Sequence, residues 1–397
     1  MTWITGIGIV SSIGLDVKSN FQSLLEGKDG IAYTQYIDTY HKTILPVGEV
    51  KLSNEQLIAL LALDQQGIYS RTELLAMKAA KEAYEDAGLA DFSDRPRIAI
   101  VSGSSVGGMD LSERYYKQYE LEEKREFVSK FQKHGCYKHT ESVAKYLGIK
   151  GYSTTISTAC SSGANAIMYG ARLINAGLAD VVIAGGVDAL AKFTINGFNS
   201  LKILDTEPCR PFDDSRVGLN LGEGAGYVVL ESEASVAKRG RKTYGRVLGY
   251  ANTCDAYHQT ASSPDGKGAV LAMSKAIVMA GIQTQDVDYV NVHGTGTMNN
   301  DVSEGAALKQ VFDGKIPAFS STKSYTGHTL GASGGIEAGF SLLAINHGVV
   351  FPNLRFKTAI QDFGIAPQTT VEHKPVNIVL SNSFGFGGNN SSLVFAR

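Results

Sequence analysis

Cys160 stands in "TACSSGAN" (residues 158–165), among small residues, where a run of strand formers stops and a helical pattern begins. Behind it, apolar or small residues recur at Ala164, Ile167, Met168, Ala171 and Ile174, the spacing of one buried helix face, and Gly177 ends the pattern. The thiol therefore falls at a helix N-terminus. There, unsatisfied N–H groups and the positive dipole end favour thiolate and lower the pKa from the free value of about 8.5. A thiolate is a good nucleophile and a good leaving group, so a cysteine in this setting can carry a group covalently and release it. Cys136, Cys209 and Cys254 lack this setting and read as small buried hydrophobes.

A cysteine nucleophile needs partners, and the later part of the chain offers three. "DYVNVHGTGT" places His293 at the end of a buried strand, and "STKSYTGHTLGASG" carries Lys323 and His328. Of the eight histidines, only these two lie in loops of small residues. Neutral imidazoles in a desolvated pocket stabilise negative charge developing on oxygen. A fourth element, "SNSFGFGGNNSS" (residues 381–392), has glycines that let backbone N–H groups turn inward, which suits an oxyanion hole or a phosphate. No GxGxxG or GxxxxGK[ST] pattern opens a helix here.

The elements that must position these residues come in two sets. Residues 79–108 read as a helix ending at a glycine, a short link, a buried strand and a small-residue loop, and residues 274–297 read the same way. Cys160 and His328 then each precede a helix rich in small residues, followed by "ADVVIAGGVDAL" and "VNIVLSNSFGFGG", continuous apolar strands of the buried parallel type. Three matching elements in order point to duplication, and alternating strands and helices imply an α/β sandwich. The halves meet near residues 245–250, giving an expected division into 1–248, with the cysteine, and 249–397, with the two histidines and the lysine. Residues 111–148 form a charged stretch that reads as a solvated helical insertion.

Composition narrows the functional classes. The 397 residues are 43% hydrophobic, enough to bury one large core or two fused ones. A net charge of -2 with the signs mixed gives no basic stripe, which argues against a nucleic-acid partner. The apolar opening lacks the basic residue of a signal peptide, and no run of about 18 uncharged apolar residues occurs, so a soluble, cytoplasmic protein is expected. Four cysteines without a CxxC pair argue against a zinc site or a disulfide framework.

"TACSSGANAI", "RPFDDSRVGLNLGEGAGYVVLE", "HGTGTMNNDVSE", "SSTKSYTGHTLGASGGIEA" and "SNSFGFGGNN" follow one another in an order that resembles the β-ketoacyl-acyl-carrier-protein synthases of the elongating type, members of the thiolase-like fold family. The opening "ITGIGIVSSIG" also resembles that family's first strand and turn. The resemblance implies a five-layered α-β-α-β-α sandwich of two duplicated halves, usually a homodimer, with acyl and malonyl forms of acyl carrier protein as partners. It implies an acyl group carried on Cys160, with the N–H groups of Cys160 and Phe386 as oxyanion hole. His293 and His328 would hold the malonyl thioester oxygen as carbon dioxide leaves, and no metal or cofactor would be needed. Lys323 and Glu304 match a charge pair that orders the site, and Thr295 and Thr297 match positions that hold the pantetheine arm. Phe386 matches a gate, Phe384 and Gly387 of the same loop match substrate-binding positions, and Val106 matches a position lining the acyl pocket.

The pattern departs from the family in places. "GGNN" replaces Gly-Gly-Thr-Asn, Met298 stands where proline is common, and Leu219 and Asn220 alter the stretch before "GEGAG". Residues 108–150 lack the family's Ser-Pro-Phe segment, which helps form the dimer and the far end of the acyl pocket, so acyl type does not carry over. This opens an alternative: a dedicated polyene or polyketide-like pathway, with a heterodimer formed beside a chain-length partner. The basic helix that greets the carrier protein is matched only by Arg71, Lys78 and Lys81, with Arg210 a further candidate. Degradative thiolases are disfavoured because no cysteine follows Cys254, and Cys-His-Asn initiating enzymes because His328 stands where asparagine would. A non-catalytic partner subunit would usually lack Cys160.

Overall fold

The computed structural model describes residues 1–91, 96–122, 131–361 and 363–397. Ten strands form its main sheet: β1 (Thr2–Ser11), β2 (Ile98–Gly103), β3 (Ser153–Ile156), β4 (Val181–Asp188), β5 (Gly224–Ser232), β6 (Gly245–Cys254), β7 (Tyr289–Asn291), β8 (Ala318–Ser320), β9 (Ile378–Gly385) and β10 (Asn389–Ala396). Their spatial order is β8-β7-β9-β10-β6-β1-β5-β4-β2-β3.

Read outward from the centre, each half repeats one connectivity. β1-β5-β4-β2-β3 and β6-β10-β9-β7-β8 both run first, fifth, fourth, second, third in chain order. The directions repeat as well, with β2 parallel to β3 and β4, and β7 parallel to β8 and β9. The halves join where β1 pairs antiparallel with β6, Thr2 opposite Val247 and Ile4 opposite Gly245. This is the duplication expected from the sequence. The second repeat opens with β6 at Gly245, so the expected division after residue 248 falls inside a strand.

Five helices complete the layers: α1 (Arg71–Asp86), α2 (Ser162–Asn175), α3 (Lys267–Ala280), α4 (Met298–Val311) and α5 (Ser333–His347). α1 covers β1, β4 and β5 from outside, and α3, backed by α4, covers β6, β9 and β10. α2 and α5 touch each other between the two half-sheets, giving the α-β-α-β-α sandwich. The central position explains why α5 has no polar face: every residue from Ser333 to Ile345 is buried. Small residues let these helices approach. A Cβ on Gly163 of α2 would lie 2.8 Å from Gly335 N of α5, and one on Gly335 would collide with Gly226 O of β5.

The expected charged insertion contains helices Met109–Glu122 and Lys138–Tyr146, while residues 123–130 of it lie outside the described residues. It is not wholly a solvated face, because the second helix buries His139, Thr140 and Val143 and packs on α1. No helix among the described residues is long and apolar enough to cross a membrane.

Candidate active site

Cys160 sits in the turn between β3 and α2, just before Ser161, the residue that precedes the helix. Ala159 adopts φ 50°, a left-handed conformation that an alanine takes only when its surroundings hold it there. Ser161 N donates to Thr158 O at 3.3 Å and Ser162 N to Ala159 O at 3.1 Å, closing the turn. The sulfur is approached by two backbone donors, the N–H of Cys160 and that of Phe386. Phe386 follows β9 in a loop whose next two residues, Gly387 and Gly388, have φ 78° and 77°. Gly385 passes so near that a Cβ there would lie 3.1 Å from Cys160 N. Two N–H groups converging beside a thiol are what an oxyanion hole requires.

The second half supplies the imidazoles. His328 Nε2 is 3.0 Å from Cys160 Sγ, and its Nδ1 is 3.1 Å from Ser333 Oγ. Backbone bonds fix it at both sides, His328 N to Asn220 O at 2.7 Å and Gly222 N to His328 O at 2.9 Å. His293, beyond the end of β7, has its ring centroid 5.3 Å from that of His328 at 87°, and 5.9 Å from that of Phe384. Glu304 of α4 braces the His293 loop, accepting from His293 N at 2.9 Å, Gly294 N at 2.8 Å and Asn382 Nδ2 at 3.1 Å.

Burial dominates the electrostatics. It pushes the Cys160 thiol up to about 11, against the pull of the Phe386 N–H and the Lys323 charge. The sequence-based expectation of a lowered pKa is therefore reversed, because desolvation of the sulfur outweighs the N–H groups of Phe386 and Cys160 and the Lys323 charge together. Burial also holds His293 and His328 well below 6.5, with Lys323 repelling a proton from both. Glu304 and Glu337 are raised to about 7 by the same cause. The resting site is a neutral thiol beside neutral imidazoles. Because the Ser333 hydroxyl can either donate to or accept from Nδ1, His328 can take a proton at Nε2 or present one there.

Residues 3–235 match the family "Beta-ketoacyl synthase, N-terminal domain", and residues 244–357 match "Beta-ketoacyl synthase, C-terminal domain". The chain belongs to the β-ketoacyl synthases. It is 38% identical over 408 residues to 3-oxoacyl-[acyl-carrier-protein] synthase 2 of Staphylococcus aureus (strain N315), covering 99% of this chain and 97% of that protein. Among solved structures it resembles the ishigamide ketosynthase/chain length factor, with TM-score 0.91, 30% identity and coverage of 100% and 98%. It also resembles the ketosynthase ApeO in complex with its chain length factor ApeC from Xenorhabdus doucetiae, with TM-score 0.86, 32% identity and coverage of 100% and 97%. The fold is thus thiolase-like and the protein is an acyl-transferring condensing enzyme.

One cavity of the synthase is lined by Cys160, His293, His328, Thr295, Thr297, Phe384 and Phe386. The Thr295 and Thr297 hydroxyls are 2.9 Å apart on its wall. Their loop is held by groups that sequence reasoning did not single out: Arg216 donates to Thr297 O at 3.3 Å and Met298 O at 3.1 Å, and Gly296 N donates to Asp301 at 3.2 Å. Phe198 was also missed. Its ring stacks on that of Phe386 at 5.6 Å and 14°, a contact between residues far apart in sequence.

Several expectations need correction. Lys323 pairs with Glu337 of α5, not with Glu304, whose oxygens serve the His293 loop and Asn382. The α5 carboxylate reaches the lysine because its helix runs through the centre of the sandwich. Gly387 is exposed and turns the loop without forming the cavity wall, and Val106 is buried in an apolar cluster with Leu190, Leu330 and Leu219, the last of which lines the cavity. Arg71 is not a docking charge. It is buried and donates to both oxygens of Glu223, while Lys78, Lys81 and Arg210 pair with Glu82, Glu85 and Asp205. Lys202, exposed, and Met298, 55% exposed, stand in the cavity lining instead.

Proposed function

We propose that this enzyme is a β-ketoacyl-acyl-carrier-protein synthase that lengthens an acyl chain by two carbons in cytoplasmic fatty-acid biosynthesis, as a homodimer served by acyl and malonyl carrier proteins. The observation that carries the reading is the 3.0 Å approach of His328 Nε2 to Cys160 Sγ, with His293 on the same cavity.

In the first half-reaction Cys160 gives its proton toward His328 as its sulfur attacks the carrier thioester. The oxygen of the tetrahedral intermediate is held by the N–H groups of Cys160 and Phe386, and the carrier thiol leaves with a proton. In the second, the malonyl thioester oxygen faces both imidazoles. Its C–C bond breaks, carbon dioxide departs, and the electron pair becomes an enolate that two neutral donors stabilise. The carbanion attacks the acyl carbon, the acyl–sulfur bond to Cys160 breaks as the 3-oxoacyl thioester forms on the carrier, and the departing thiolate takes up from solvent the one proton that the overall reaction consumes. Thr295 and Thr297 line the path of the pantetheine arm, and Phe386, backed by Phe198, gates the cavity.

The test is product analysis. Incubation with an acyl-carrier and malonyl-carrier protein yields a 3-oxoacyl carrier two carbons longer; an unchanged mixture contradicts the reading. A second reading, a dedicated pathway with a chain-length partner subunit, is supported by the similarity to two ketosynthase/chain length factor complexes. A deletion strain that needs supplied fatty acids excludes it.

A further inference from the structure

Asn165 of α2 is 8% exposed, and its amide is engaged at both ends. Nδ2 donates to Thr158 Oγ1 at 2.8 Å, within the turn that carries Cys160, while Ser161 Oγ donates to Thr158 O at 2.8 Å. Oδ1 accepts from Ser391 Oγ at 2.7 Å and from Asn252 Nδ2 at 3.2 Å. Asn252 Nδ2 also reaches Ser391 Oγ at 2.9 Å and Asn389 Oδ1 at 3.2 Å. Ser391 and Asn252 face each other across β10 and β6, and β10 starts at Asn389, where the Phe386 loop returns to the sheet.

One side chain therefore joins the turn that places Cys160 to the strand that anchors the Phe386 loop. The joint matters because the two backbone donors come one from each side: the Cys160 N–H from the turn and the Phe386 N–H from the loop. An asparagine suits the position because one end of its amide donates and the other accepts. Aspartate offers acceptors alone, and leucine offers neither.

We propose that Asn165 is a positioning residue that holds these two N–H donors at the spacing a thioester oxygen needs. The inference rests on the acyl-transfer reading above. A displacement of the order of 1 Å between such donors is enough to cost about 100-fold in rate.

The experiment compares full-length wild type, Asn165→Leu and Asn165→Asp in two reactions of the same sulfur. One is single-turnover transfer from an acyl-carrier protein to Cys160, which uses the oxyanion donors; the other is alkylation by iodoacetamide, fitted across pH to the rate constant of the thiolate itself, so that any effect of the two N–H groups on thiol acidity is separated out. Acyl transfer is expected to fall about 10- to 100-fold in Asn165→Leu and less in Asn165→Asp, with alkylation within about twofold of wild type and carrier KM unchanged. Equal losses in both reactions overturn the proposal, as does wild-type acyl transfer in a folded variant. Should Asn165→Leu not fold, Asn165→Asp decides by the same ratio. A wild type that takes no acyl group from any carrier overturns the acyl-transfer reading and this inference with it, whereas an acylating wild type beside an unaffected variant overturns this inference alone.

Discussion

His328 Nε2 lies 3.0 Å from Cys160 Sγ, and the two groups meet uncharged: burial pushes the thiol up to about 11 and holds the imidazole well below 6.5. The pair therefore reacts by passing a proton when a thioester arrives, not by resting as an ion pair. Alkylation of Cys160 by iodoacetamide follows the thiolate fraction, so its rate is expected to climb steadily from about pH 7 to about pH 10. A plateau beginning near pH 7 would contradict the buried neutral thiol.

The histidines titrate on the other side. Both are held well below 6.5, so they stay neutral through mildly acidic pH. Decarboxylation of malonyl-carrier protein is accordingly expected to be flat from about pH 8 to about pH 6.5. An inflection at the ordinary histidine value would sink the assignment of two neutral donors.

Lys323 and Glu337 form a buried pair, and removing one partner strands the other. In Lys323→Met, Glu337 loses the charge that opposes its desolvation, so its pKa moves further above the wild-type value of about 7. A carboxyl with a raised folded-state pKa contributes stability below its unfolded pKa and loses it as pH rises through the folded value. The variant's melting temperature should therefore fall increasingly behind wild type as pH rises, approaching about 3–5 kcal/mol of lost stability once Glu337 must ionise. A difference that does not vary with pH would show that another interaction was lost instead.

Much of this site was legible in the sequence because its chemistry is local. The turn before α2, the strand end at His293 and the glycines after Phe386 each announce themselves within about ten residues. The repeated strand order was legible too, since each half carries its own helix and strand pattern. What stayed hidden depends on three-dimensional neighbours. Glu337 reaches Lys323 only because α5 crosses the core, and Arg71 reads as a surface charge until Glu223 meets it from the start of β5. The direction of the Cys160 shift was misread for the same reason: the helix end is visible in sequence, whereas the depth of burial is not.

The central helix contact makes a separate claim about the fold. A Cβ at Gly335 would strike the Gly226 carbonyl, a backbone atom that cannot swing aside. Gly335→Ala is expected to cost about 3 kcal/mol or more, read as a shift of the urea unfolding midpoint. A shift under about 1 kcal/mol would mean that α5 and β5 are not packed backbone to backbone.

The most direct measurement is the intact mass of wild type and Cys160→Ala after incubation with a panel of acyl-carrier proteins. The account predicts one acyl increment on the wild type and none on Cys160→Ala. An equal increment on both, or none on the wild type from any donor, would contradict Cys160 as the group that carries the acyl chain.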